Sequence, residues 1–343
     1  MTRSRTELLD STELKAPAKS GIVRRPRVTV IAVLIAVLAA AGLLAGRHLT
    51  TRASSSRTRT TGRMSASART VAVQEYVATG THDDLYLALP SANRVEDVDR
   101  FGHITATFGT RDSAARAPQS PHGITIGHDG SIYAAESYGC RIDRLSPSLQ
   151  ILGHWSTCGA RSEGYDGPLS LATGPKGDIY ATSRGSARID VFSPSGSLLR
   201  SINTGGSRTE YGGIAVDQKG TIYLSEPETD QIIRLAASGT RTVWGSYGSA
   251  PGSFKQPGDI ALDGTGALYV VDEGNQRVQK IGAGGRPVMS WGHDGSVPAV
   301  SPRGISVDVL GDTFVSGAPG PVVKISSSGI AAPAWQQRVP PAR

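Results

Sequence analysis

The chain of 343 residues contains no P-loop, no CxxC pair and no Ser-His-Asp order, which removes the commonest signatures of phosphoryl, thiol and acyl-transfer chemistry. It has only two cysteines and three asparagines, and no Asn-x-Ser/Thr sequon. With its Ala/Arg/Gly-rich bias, this composition points to a bacterial sequence. No long charged helical pattern is present, whereas glycine numbers 42 and proline 20. A helical bundle is therefore excluded, and many short strands joined by tight turns are expected. The length suits two average domains or one large all-β domain.

The net charge of +7 suggests a polyanion binder until it is located along the chain. Residues 1–70 carry 13 Lys/Arg and 3 Asp/Glu, a net of +10, and residues 71–343 carry 23 and 26, a net of −3. The basic charge belongs to one end, and nucleic acid is not an expected partner of the remainder.

That end contains 19 uncharged residues, Val28–Gly46, in which Thr29 is the one polar side chain. As a helix at roughly 1.5 Å per residue this run nearly matches a hydrocarbon core of about 30 Å, so it reads as a transmembrane helix. A cleaved signal peptide is the alternative, but 27 preceding residues are long for its basic region. Arg24, Arg25 and Arg27 favour a cytoplasmic leader over residues 1–27, although Arg47, Arg52, Arg57, Arg59 and Arg63 flank the other side. Leu44-Ala45-Gly46 is followed by Arg47 and not cysteine, so lipoprotein processing is excluded there. Residues 47–70 have the Ser/Thr/Arg/Ala composition of a disordered stalk. The expected location is the cell membrane, with residues 71–339 extracytoplasmic and residues 340–343 a short tail.

A repeat occupies the rest. Tyr86, Tyr133, Tyr180, Tyr223, Tyr269 and Phe314 are spaced by 47, 47, 43, 46 and 45 residues. Nine residues before these anchors stand Val77, Ile124, Leu171, Ile214, Ile260 and Ile305; nine after stand Val95, Ile142, Ile189, Ile232, Val278 and Val323. At 21 or 22 residues after them come Phe108, Trp155, Ile202, Trp244, Trp291 and Trp335, so all four tryptophans share one position. Each unit reads as four short antiparallel strands, and six such units predict a six-bladed β-propeller. The leading strand of the first copy is weak, and residues 70–79 are an alternative closing strand for the last blade.

Pro121 to Glu136, PHGITIGHDGSIYAAE, and Pro257 to Val278, PGDIALDGTGALYVVDEGNQRV, resemble NHL repeats. The resemblance spans residues 73–338 and weakens in the first copy, which lacks Pro-x-Gly-Ile, and in the sixth, which has lost Asn-x-Arg. It implies a recognition or sensor propeller. Some similar propellers, peptide-amidating lyases and streptogramin lyase among them, are metal-dependent enzymes with histidine or acidic groups in the channel.

In a propeller the loops joining second to third strands, and fourth strands to the next blade, share one face. Here they carry Tyr138, Arg184, Arg208, Tyr211, Tyr247 and His293, while His122 and Arg303 are the polar residues of the Pro-x-Gly-Ile positions. These are the ligand-face candidates. Glu136, Glu226 and Asp272 recur three residues after the anchors. A structural role within each blade is the first reading, since a repeated position usually serves the repeat. The alternative has them converge on the channel and hold Ca²⁺, or work with His122 in a lyase or hydrolase site. A three-histidine zinc set is not available, because His122 and His293 share this face while His82, His103 and His128 fall on the opposite face and His154 on an outer strand. Cys140 and Cys158 lie on one face of one blade, and a disulfide between them would close a loop of 19 residues, worth on the order of 3 kcal/mol; two buried thiols are the alternative. The function expected is binding of a protein, peptide or cell-envelope ligand through the loop face.

Overall fold

A computed structural model describes residues 76–80, 84–109, 119–157, 167–205, 210–292, 301–318 and 322–331. The predicted leader, transmembrane helix and stalk lie outside the described residues. No helix among the described residues is long and apolar enough to cross a membrane.

Each repeat is one antiparallel sheet. Blade one is β1 (Tyr76–Thr79), β2 (Leu85–Leu89), β3 (Arg94–Val98) and β4 (Ile104–Phe108); blade two is β5 (Pro121–Ile126), β6 (Ile132–Glu136), β7 (Arg141–Leu145) and β8 (Ile151–Ser156). Blade three is β9 (Pro168–Thr173), β10 (Ile179–Ser183), β11 (Arg188–Phe192) and β12 (Leu198–Asn203); blade four is β13 (Ile214–Val216), β14 (Ile222–Glu226), β15 (Gln231–Leu235) and β16 (Arg241–Trp244). Blade five is β17 (Pro257–Leu262), β18 (Leu268–Asp272), β19 (Arg277–Ile281) and β20 (Pro287–Trp291), and blade six is β21 (Ser301–Val307), β22 (Thr313–Ala318) and β23 (Val323–Ile325). An Ile325–Ala331 bridge begins a further edge on blade six.

The periodic positions are cross-strand partners. Val77, Ile124, Leu171, Ile214, Ile260 and Ile305 stand opposite Leu87, Ala134, Ala181, Leu224, Val270 and Val315, each one residue after an anchor. Val95, Ile142, Ile189, Ile232 and Val278 face Phe108, Trp155, Ile202, Trp244 and Trp291 on the outer strands. The tryptophans then pack on the anchors of their own blades, with Tyr133–Trp155, Tyr223–Trp244 and Tyr269–Trp291 ring centroids 5.9, 5.5 and 6.0 Å apart. These tilted and edge-on contacts suit aromatic quadrupoles.

A blade cannot bury both faces alone, so the apolar cores lie between blades. Six buried clusters each join one neighbouring pair. The ring closes where Val77, Leu85, Leu87 and Val98 of blade one pack on Phe314 and Val322 of blade six, and Thr79 Oγ1 donates to the Val307 carbonyl at 3.2 Å. Tyr76–Thr79 is thus the inner strand of blade one and does not complete blade six, which corrects the alternative closure. The inner strands approach so tightly that a Cβ on Gly123 would lie 2.8 Å from the Leu169 carbonyl and the Ser170 Cα. This close approach explains the glycine of Pro-x-Gly-Ile.

Candidate functional site at the channel mouth

Alternating strand directions put the β2–β3-type turns and the interblade loops on one face, with the first residues of the inner strands. There a pocket of about 210 Å³ opens across blades one to four, lined by Tyr76, Leu169, Tyr211, Gly212 and Pro227, with His122, Arg184 and Glu210 as its polar groups. The rings of Tyr76 and His122 meet in a tilted contact, centroids 5.7 Å apart at 46°. His122 Nδ1 is 2.9 Å from the Ser120 carbonyl. A carbonyl only accepts, so Nδ1 carries hydrogen and Nε2 is the acceptor of the neutral ring. Burial, assisted by Arg184, holds His122 below its usual range, so the neutral form prevails at pH 7. Arg184 Nη1 and Glu210 Oε1 form a half-exposed ion pair at 3.3 Å.

Across the channel Arg303 pairs with Glu273. Asp259 is partly buried near Glu273: its Oδ1 accepts from Ile260 N and its Oδ2 from Ile305 N, both at 2.9 Å. It occupies the register at which blades two and four carry Gly123 and Gly213, and its side chain fastens blade five to blade six. Burial pushes Asp259 up to about 7. Burial and the charges of Asp259 and Glu273 push Tyr76 up to about 12.

The three recurring carboxylates are not brought together; each is bound within its own blade. Asp272 is fully buried, and accepts from Lys255 N at 2.7 Å, Arg277 Nε at 2.7 Å, Gln279 Nε2 at 3.0 Å and Asn275 Nδ2 at 2.9 Å. Glu226 accepts from Thr229 Oγ1 at 2.6 Å. Glu136 accepts from Gln119 N, and burial with the nearby Asp143 charge raises it to about 8. This donor set does not fit a shared Ca²⁺ in the channel. Among the described residues no group of three His, Cys, Asp or Glu could hold a metal. In blade five the arginine five residues after the carboxylate pairs with it, as Arg277–Asp272 at 2.7 Å. In blades one to three the same arginine turns to the acid two residues on, giving Arg94–Glu96, Arg141–Asp143 and Arg188–Asp190 at 2.7, 2.9 and 3.2 Å.

Of the predicted face residues, His122 and Arg184 share the pocket and Arg303 lies across from it. Tyr138 and Tyr247 are exposed on the rim at 74% and 71%, the latter beneath Lys255 Nζ at 5.3 Å. Tyr211 lines the pocket, is otherwise buried in the core between blades three and four, and donates its hydroxyl to Thr204 Oγ1 at 2.5 Å. Its hydroxyl is thus engaged within the propeller. Arg208, His293 and Cys158 lie outside the described residues. Tyr76, Glu210 and Asp259 were missed by sequence reasoning; for Asp259 the signal was an acid in a position that otherwise favours glycine.

Residues 254–281 match the NHL repeat. The matched stretch runs from Phe254 through β17, β18 and β19, and includes the Asp272–Arg277 pair. The fold is similar to that of a catalytically inactive virginiamycin B lyase from Staphylococcus aureus in complex with quinupristin: TM-score 0.57, 18% identity, 79% of this chain and 87% of that one covered. It is also similar to Kuenenia stuttgartiensis hydrazine synthase, with TM-score 0.52 and 15% identity over 74% of this chain and 83% of that one. A Bacteroides caccae protein of unknown function gives TM-score 0.54 and 14% identity, over 71% and 89%. At these identities the likeness is one of fold. A search of curated protein sequences finds no match.

Proposed function

We propose that the protein is a membrane-anchored, extracytoplasmic recognition module that binds a protein, peptide or cell-envelope ligand through the channel-mouth face. The observation that carries this reading is a division of labour among positions. Residues that recur in every repeat are consumed by blade packing, whereas those at the mouth differ from blade to blade: His122, Arg184 and Glu210 line a pocket, and Arg303 lies across from it. Variation at one end of a regular scaffold is how such folds acquire specificity. Replacing both mouth arginines, Arg184→Gln with Arg303→Gln, is expected to abolish capture of the ligand from solubilised cell envelopes by the immobilised full-length chain. Equal capture by the variant would contradict the reading.

The extracytoplasmic placement rests on the uncharged run Val28–Gly46 and on the cysteines. No cysteine among the described residues is free, and Cys140 ends the turn of residues 137–140 that leads into β7 on the ligand face, with φ of 49°. Mass mapping without reductant is expected to recover Cys140 linked to Cys158. Two alkylatable thiols in protein taken from its native compartment would count against that placement.

A second reading, a lyase or hydrolase centred on the channel, is favoured by the neutral His122, whose Nε2 has the character of a general base. Glu136, Glu226 and Asp272 do not supply its acid, because each is bound in its blade. If this reading holds, His122→Ala removes turnover of the bound ligand while leaving capture in place; if the module only binds, no turnover is found in either protein.

A further inference from the structure

The pocket's composition specifies more than a face. Its apolar walls are Leu169, Pro227 and the Tyr76 ring, and its polar groups are one cation, one anion and one neutral acceptor: Arg184, Glu210 and His122. The formal charges lining it cancel, so a net-charged guest would be desolvated against a compensated site. The Arg184–Glu210 pair is 3.3 Å long, with side chains 36% and 50% exposed. Pairs this open are worth about 0–1 kcal/mol, so each partner can exchange the other for a guest group at small cost. The guanidinium fork matches a carboxylate. Glu210 matches an ammonium, and the locked tautomer of His122 provides a second acceptor for its hydrogens. About 210 Å³ is room for a single amino-acid unit.

We infer that the pocket recognises a small zwitterion, a free α-amino acid or an equivalent unit bearing both an ammonium and a carboxylate, with an apolar side chain against Leu169 and Pro227. The carboxylate inserts at Arg184, the ammonium at Glu210 and His122, and the guest replaces the rim ion pair with two. This inference rests on the channel mouth being the ligand face, and it adds the chemistry of the ligand.

The test is calorimetric titration of the full-length chain with three probes: L-leucine, N-acetyl-L-leucine and L-leucinamide. Leucine is expected to bind, and each blocked form to bind at least about tenfold more weakly, the loss of one charge-assisted pair. Arg184→Gln is expected to erase the difference between leucine and leucinamide. Glu210→Gln is expected to erase the difference between leucine and its N-acetyl form. Both variants change a half-exposed pair, and their unfolding midpoints should match the parent's. Absence of leucine binding at millimolar concentration, or equal binding of the blocked forms, overturns the inference. If either occurs while the double arginine variant still loses envelope capture, the face stands and the zwitterion falls.

Discussion

Asp272→Ala is expected to destabilise the propeller by about 3–5 kcal/mol, the cost of breaking a buried ion pair from one side. Asp272 is fully buried and receives donors from Lys255, Asn275, Arg277 and Gln279. Arg277 is 8% exposed at its side chain, and its remaining N–H groups donate to the Ser249, Ala250 and Ser253 carbonyls at 2.8, 3.1 and 2.9 Å. The variant therefore keeps a buried guanidinium with no counter-charge in contact and releases the loop that leads from β16 into β17. For a domain of this size the midpoint should fall by roughly 10 °C. Thermal unfolding checks the value. A change under about 1 kcal/mol, within the range of ordinary surface substitutions, would show that the carboxylate is not committed to the blade and would return it to the pool of ligand groups.

Glu136→Gln is expected to flatten the dependence of stability on pH. Burial, with the Asp143 charge, raises Glu136 from 4.5 to about 8 in the folded chain. The folded state therefore keeps a proton that the unfolded chain releases above its own value. A raised acid makes stability greatest below the unfolded pKa and reduces it as pH rises through the window from 4.5 to about 8. The slope is about 1.4 kcal/mol per pH unit for one such group, so the accumulated loss is on the order of 3–4 kcal/mol. Glutamine keeps an oxygen for Gln119 N–H and does not titrate. Urea unfolding at pH 5, 6.5 and 8 should give a steeper decline for the parent than for the variant. Parallel curves would mean that Glu136 ionises normally. Asp259, raised to about 7, adds a loss of the same sign over a lower window.

Much of this architecture was legible in the sequence because a blade imposes fixed offsets. The residues nine before and nine after each anchor had to be apolar, since they face the positions that pair across strands, as Ile124 faces Ala134 and Ile142 faces Trp155. Ring closure was harder to read, because it depends on Val77 and Phe314, some 240 residues apart, meeting in one core. The candidate site was legible only in part. His122, Arg184 and Arg303 followed from the loop rule, whereas Tyr76, Glu210 and Asp259 reach the mouth through the curvature of the ring, which leaves no local pattern. Periodicity also misleads about chemistry. Glu136 and Asp272 share a repeat position, yet Arg141 turns to Asp143 while Arg277 turns to Asp272, so one carboxylate is raised by burial and the other is held by an arginine.

The claim that the channel mouth is the recognising surface is tested most directly by placing one photo-crosslinking side chain on each face of the full-length chain in living cells. Tyr138, 74% exposed on the mouth face, and Phe101, 65% exposed in a turn of the opposite face, are both aromatic and accept benzoylphenylalanine with little change in shape. Irradiation should yield a discrete adduct from position 138 and none from position 101. Adducts from position 101 alone, or equally from both, would contradict the account.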